Sequence, residues 1–137
     1  MSSNERTGWR DEGLSRRHRE YGVNAPCCDL DFMVIEYDSK KPKAIVEYKN
    51  ENAGPILSDD PNIACLTNLA NMAGLPFFGC RYATDFKWFV VAPLNDKARQ
   101  VLPEKKQMSE RDYVSILYKI RGRDLPPEIA EKLNGSN

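Results

Sequence analysis

The chain has 137 residues, 41% of them hydrophobic, which is enough for one domain with a buried core and too few for two. Lysine plus arginine balance aspartate plus glutamate at 20 each, which excludes a protein that coats nucleic acid through its net charge but allows a local stripe of cations. No apolar run approaches the ~18 residues of a membrane helix, and the first ten residues are polar. We therefore expect a soluble, cytoplasmic protein with no membrane partner.

The first predicted element is a helix over residues 8–20, which follows a tail at residues 1–7. Basic side chains follow one another along it at Arg16, Arg17, His18 and Arg19. As a group they can hold a phosphodiester backbone through contacts that carry no sequence information. The alternative is a solvated helix face, which is the commoner role of any single arginine.

Two strands are predicted next, over residues 32–37 and 43–48, because both segments are rich in β-branched and aromatic residues and a polar loop separates them. Side chains alternate between the two faces of a strand, so Asp31, Glu47 and Lys49 project from one face at one end of the hairpin. Opposed Cβ atoms in such a pair lie roughly 5 Å apart. Two carboxylates and an ammonium group are therefore expected to converge.

The register of this hairpin follows from its loop. Symmetric closure on Lys40 places Met33 opposite Glu47 and Asp31 opposite Lys49. Both faces of the hairpin are apolar further along, which predicts a position in the middle of a covered sheet.

Two carboxylates at that spacing fit a hard divalent cation such as Mg²⁺, which takes one or two carboxylates and keeps several waters. Asp29 has the same strand parity as Asp31 and is a reserve ligand. The alternative is an ordinary ion pair of Asp31 with Lys49 and an exposed Glu47, since such surface pairs are common.

The rest of the chain predicts an α/β fold: a central mixed sheet of about four to five strands flanked by helices. In chain order we expect a helix over 61–73, strands over 76–83 and 86–92, and helices over 95–102, 109–122 and 125–133. Residues 1–137 form one domain, and residues 94–137 are a helical C-terminal extension that either completes the fold or provides a dimer surface. Core packing explains the aromatic residues of the later strands, but an outward-facing Tyr82 or Trp88 can stack on an unpaired base.

Asp31 followed at a distance by Glu47-Tyr48-Lys49, each on a hydrophobic strand, resembles the signature of the PD-(D/E)XK nuclease superfamily, whose fold is restriction-endonuclease-like. The segment from Arg17 to Asn50 is similar to small phage-type replication, repair or junction-resolving members. The resemblance implies a deoxyribonuclease that uses Mg²⁺, or Mn²⁺ as a substitute, in a bacterial or phage-infected cell.

The resemblance also implies roles. Asp31, Glu47 and the backbone carbonyl of Tyr48 ligate the metal, Lys49 is catalytic, and Glu20 of the first helix can add a further acid. The substrate implied is DNA, in the form of branches, flaps or Holliday junctions, and a junction resolvase requires a homodimer. The alternative is a non-catalytic nucleic-acid-binding or protein-binding module that keeps the nuclease fold, and RNA cleavage would use the same residues.

Overall fold

Five strands form one mixed sheet in the order β1-β2-β3-β4-β5, flanked by helices, as expected for the α/β class. The structure is a computed structural model that describes residues 12–22, 28 and 30–135. Its elements are α1 (Glu12–Glu20), β1 (Phe32–Glu36), β2 (Lys41–Asn50), α2 (Pro61–Ala73), β3 (Phe77–Tyr82), β4 (Phe89–Pro93), α3 (Asp96–Val101), β5 (Lys106–Met108), α4 (Glu110–Ile120) and α5 (Pro127–Ala130). Within the described part of the chain, no helix is long and apolar enough to cross a membrane.

The sheet is mixed because β2 and β3 are parallel, whereas the other neighbouring strands are antiparallel. Helix α2 makes the crossover that a parallel pair requires. It begins where the sequence predicts, with the Asp60 side chain accepting a hydrogen bond from the Asn62 amide and Pro61 in the first turn. It ends at Gly74, whose φ of 71° is the left-handed conformation that favours glycine.

Each face of the sheet has its own core. On the face covered by α2, which we call the α2 face, Ile45 and Phe77 pack against Ile63 and Leu66. On the opposite face, the α4 face, the buried side chains include those of Val46, Phe78, Cys80, Val91, Met108 and Tyr113. Leu69 of α2 is 45% exposed and does not belong to this core.

The C-terminal residues complete the fold. Ala98, Leu102, Met108 and Tyr113 all belong to the α4-face core, so the segment contributes to the same core as strands β2, β3 and β4. The segment is also not wholly helical, because Lys106–Met108 pairs with β4 as a strand between the two predicted helices.

The register of the β1–β2 hairpin differs by two residues from the expected one, with Met33 opposite Ile45 instead of Glu47. The turn is tighter than a symmetric loop on Lys40: Lys40 takes a left-handed φ of 59°, and the Ser39 amide donates to the Glu36 carboxylate at 3.0 Å. A bulge follows at Pro42, which has no N–H to give to a ladder. From Phe32 to Val34 the shift is two residues, which keeps those side chains on their predicted faces, whereas the pairs beyond the bulge, Ile35 with Pro42 and Glu36 with Lys41, are shifted by three.

The predicted central position of the hairpin is correct for β2 and wrong for β1. Residues Ala44, Ile45 and Val46 are buried under both layers, but β1 is an edge strand. Its Phe32 and Met33 side chains are 61% and 46% exposed.

Candidate functional site

Asp31 is bound to the strand that carries the other two candidate residues. Its Oδ2 accepts a hydrogen bond from the backbone amide of Tyr48 at 3.2 Å, just before β1 begins. The Asp31 carboxylate therefore accepts a hydrogen bond from an amide at the end of the β1–β2 ladder, beyond Phe32, the first residue of β1. A carboxylate can accept about four hydrogen bonds, so this contact leaves Asp31 with capacity for a cation.

Glu47 and Lys49 flank Tyr48 and project from the α2 face, because they are two and four residues beyond the buried Ile45. Both side chains are half-buried. The pairing of Phe32 with Val46, continued by one residue, brings Asp31 opposite Glu47, where the sequence predicted Lys49. Lys49 is then the diagonal neighbour of Asp31.

Asp31 and Glu47 thus lie at the same end of the β1–β2 pair. Like charges near each other on a strand pair repel, and a positive charge nearby stabilises them. Lys49 is one source, and a divalent cation is another. Two carboxylates and the Tyr48 carbonyl are hard oxygen donors of the kind that Mg²⁺ takes while it keeps several waters for the substrate.

The loop between β2 and α2 is fixed beside these residues by Arg81 of β3. Its Nη1 atom donates to the carbonyl oxygens of Asn50 at 3.3 Å, Glu51 at 3.1 Å and Ala53 at 3.0 Å. Arg81 is paired with Lys49 in the parallel register, so the loop is held at the end of the strand that carries the candidate residues. Arg81 was not predicted from the sequence, although a single arginine within an apolar strand is a signal for such a residue.

A glycine lies next to Glu47 on the neighbouring strand. Gly79 pairs with Glu47, and a Cβ built on it would lie 3.0 Å from the Cδ1 atom of Ile56. The Ile56 side chain therefore rests directly on the backbone of β3, and a larger residue at position 79 would displace it.

A groove of about 530 Å³ continues from Gly79 across the α2 face towards β5. Its lining includes Lys105 and Lys106, both exposed, together with Gln107 and Arg81. These cationic side chains form a local positive surface along a groove that also contains Gly79. A protein with no net charge can bind phosphates through such a surface.

The basic residues of α1 stay on the surface. Arg16, Arg17 and Arg19 are exposed, and the ring of His18 packs edge-on against Tyr21 with centroids 5.2 Å apart. Glu20, which the resemblance offered as a further acid, forms an exposed ion pair with Arg17 at 3.4 Å. Asp29 lies outside the described residues.

The side chain of Tyr48 points away from the acids, into the α4 face. Its hydroxyl shares a hydrogen bond with that of Tyr113, and burial raises the pKa of Tyr48 to about 12. Burial also raises the pKa of Tyr113. Both phenols therefore stay protonated near neutral pH, and they join α4 to β2 without offering a catalytic proton acceptor.

Among residues 12–22, 28 and 30–135, no group of three or more His, Cys, Asp or Glu side chains is placed to hold a metal ion. The candidate site accordingly depends on its two carboxylates and on oxygen atoms from the backbone, water or substrate. Comparisons of the chain with protein-family models, with curated proteins and with solved structures find no match, so the resemblance to the nuclease superfamily rests on the motif itself.

Proposed function

We propose that the protein is a Mg²⁺-dependent nuclease that hydrolyses phosphodiester bonds in DNA, with a restriction-endonuclease-like core. The observation that carries this proposal is the contact of the Asp31 carboxylate with the Tyr48 amide at 3.2 Å, which ties one acid to the residue between Glu47 and Lys49. An acid pair that faces a phosphate is unfavourable for binding alone, because both groups repel the substrate. The pair becomes useful when a cation lies between them and the phosphate.

Each residue has a distinct role in this proposal. Asp31 and Glu47 hold the metal with the Tyr48 carbonyl as a further oxygen ligand, and Mn²⁺ can replace Mg²⁺. The bound metal supplies a water of lowered pKa and positive charge beside the attacked phosphate. Lys49 orients the scissile phosphate and stabilises the negative charge that grows on it.

In this proposal the substrate is also held by basic side chains outside the acid pair. Lys105 and Lys106 in the groove, and the arginines of α1, contact phosphates irrespective of sequence. Contacts of this kind suit a nuclease that selects DNA by its structure, such as flaps, branches or four-way junctions.

The variants Asp31→Asn, Glu47→Gln and Lys49→Met test the assignment, each compared with the exposed loop variant Asp59→Asn. We expect each of the three to lower the rate of Mg²⁺-dependent cleavage by about 100-fold or more, because each removes a charge required in the transition state. Asp59→Asn is expected to cleave at the wild-type rate. Wild-type rates in all three site variants would reject the proposal.

The substrate class is tested on a panel of labelled linear, flapped and four-way DNA, incubated with Mg²⁺ or with EDTA. Metal-dependent cleavage of one class identifies the substrate. Binding that is unaffected by metal, with no cleavage of any DNA or RNA, would favour the non-catalytic binding module instead. Sedimentation of the pure protein tests the homodimer that a junction resolvase needs, and a strict monomer would exclude that substrate without affecting the nuclease proposal.

A further inference from the structure

A small aromatic pocket opens on the α4 face. It has a volume of about 240 Å³ and is lined by Phe32, Tyr48, Tyr82, Phe86 and Phe89. The rings of Tyr82 and Phe86 stack at 5.9 Å, while those of Phe32 and Tyr48 meet edge-on at 5.1 Å. Phe32 is 61% exposed and Phe86 47% exposed, so flat aromatic surfaces stay in contact with solvent at the mouth of the pocket.

Phe86 is held in this position at a conformational cost. Its φ is 61°, in the left-handed region that a bulky side chain rarely adopts and that glycine or asparagine would occupy with less strain. The turn is fastened by two contacts: the Phe86 amide donates to the Ala83 carbonyl at 2.8 Å, and the Asn134 side chain donates to the Phe86 carbonyl at 3.2 Å. An aromatic ring is thus fixed in an exposed place where a smaller residue would suit the backbone better.

The pocket lies directly behind the candidate metal site. Tyr48, in its wall, stands between Glu47 and Lys49, and Phe32 follows Asp31. Because side chains alternate along a strand, the acids and the aromatic rings occupy opposite faces at the same end of the β1–β2 pair. Among the described strands none lies beyond β1, so a flexible polymer held at the acids can pass around this edge of the sheet.

We propose that this pocket binds an unpaired nucleobase of a DNA single strand whose phosphates lie at Asp31, Glu47 and Lys49, an inference that rests on the proposed function. A nucleobase is flat and aromatic and small enough for this pocket, and it is joined to the phosphates that the acid site would hold. Stacking needs an exposed base face, which duplex DNA does not present. The pocket therefore makes the protein selective for single-stranded segments, such as the arms of flaps and frayed branches, with little sequence preference.

The test compares fluorescein-labelled dT12 with an abasic strand of the same length and charge, by fluorescence anisotropy with Ca²⁺, a hard cation that takes carboxylate oxygens, and a gel after each titration confirms that the strands are uncleaved. One stacked base contributes about 1–3 kcal/mol, and 1.4 kcal/mol is a factor of ten. We expect wild type to bind dT12 at least about fivefold more tightly than the abasic strand. Phe86→Leu and Phe32→Leu should reduce that preference to near unity and leave binding of the abasic strand unchanged.

Met72→Leu is the matched control, since Met72 is an 85% exposed apolar residue on α2, and it should keep the preference. Equal binding of dT12 and the abasic strand by wild type would overturn the proposal, as would a preference that survives both phenylalanine variants. If Phe86→Leu instead converts a dimer to a monomer and leaves the preference intact, the pocket is an interface between copies and the proposal fails. Because binding is measured on uncleaved strands, a base preference without nuclease activity would reject the proposed catalysis alone.

Discussion

Glu36 illustrates how a single residue fixes the far end of the hairpin. It is 7% exposed and accepts hydrogen bonds from the Ser39 amide at 3.0 Å and from Arg123 Nη2 at 2.8 Å. Together these hydrogen bonds lower the pKa of Glu36 from 4.5 to about 2. The Ser39 amide has the largest effect on the pKa, and Arg123 has the next largest. Arg123 follows α4 in the chain, so the carboxylate joins the turn after β1 to the C-terminal part of the fold.

The lowered pKa of Glu36 predicts a dependence of stability on pH. The folded state favours the ionised carboxylate, so its contribution is fully present above the ordinary pKa of 4.5 and is lost as the pH falls towards about 2. Urea unfolding of wild type and Glu36→Gln should therefore give a free energy of unfolding that falls less steeply in the variant between these pH values. Asp96→Asn, in an exposed helical ion pair, should follow wild type. The same steepness in wild type and Glu36→Gln would contradict this account of the carboxylate.

At the scale of elements, the loop at residues 51–60 depends on Arg81. Arg81→Met removes the donor shared by three loop carbonyls, so amide hydrogen exchange should become faster over residues 51–57 and stay unchanged in α2. Arg99→Met, which breaks only an exposed ion pair on α3, is the matched control. Unchanged exchange in the loop would show that Arg81 does not hold it.

Gly79 gives a second prediction about the same loop. Gly79→Val places methyl groups where Ile56 and Leu94 already lie within 3.0 and 3.2 Å of the Cβ position, and overpacking of this kind typically costs about 1–3 kcal/mol. Gly54→Val is the comparison, because nothing lies within 4 Å of its Cβ position. Urea unfolding measures both variants, and equal free energies of unfolding would refute a close contact at Gly79.

The elements also show what periodicity can and cannot predict. Alternation correctly assigns Ile45 and Val46 to opposite faces, and the Asp60 and Gly74 signals fix both ends of α2. The two-residue shift in the hairpin was not predictable, because it depends on the left-handed Lys40 and on a bulge, neither of which alters the hydrophobic pattern. Strand β5 was missed for a related reason: three residues, two of them exposed, are too short to show a period.

At the scale of the whole molecule, the C-terminal third is expected to be essential for folding. A chain that ends at Lys105 loses Met108 and Tyr113 from the α4-face core, and the loss of one large buried side chain alone costs about 3–5 kcal/mol. A whole domain is stable by only about 5–15 kcal/mol. Circular dichroism should therefore show no cooperative urea transition for the truncated chain. A cooperative transition close to that of the full chain would contradict this assignment of the core.

The proposed metal site would be a property of the assembled molecule, because Asp31 contacts Tyr48 from outside the strand that carries Glu47 and Lys49. Neither the composition nor the neutral net charge indicates such a site. The two acids come to the same end of the hairpin only when the two strands pair. From the sequence alone, a metal site and an exposed salt bridge between the same residues look alike.

The measurement that tests the central claim most directly is paramagnetic broadening of backbone amide resonances by substoichiometric Mn²⁺. The account predicts that broadening in wild type centres on Asp31, Glu47 and Tyr48, and that it disappears in the Asp31→Asn/Glu47→Gln double variant. Broadening centred elsewhere, or equal broadening of those amides in the double variant, would contradict it.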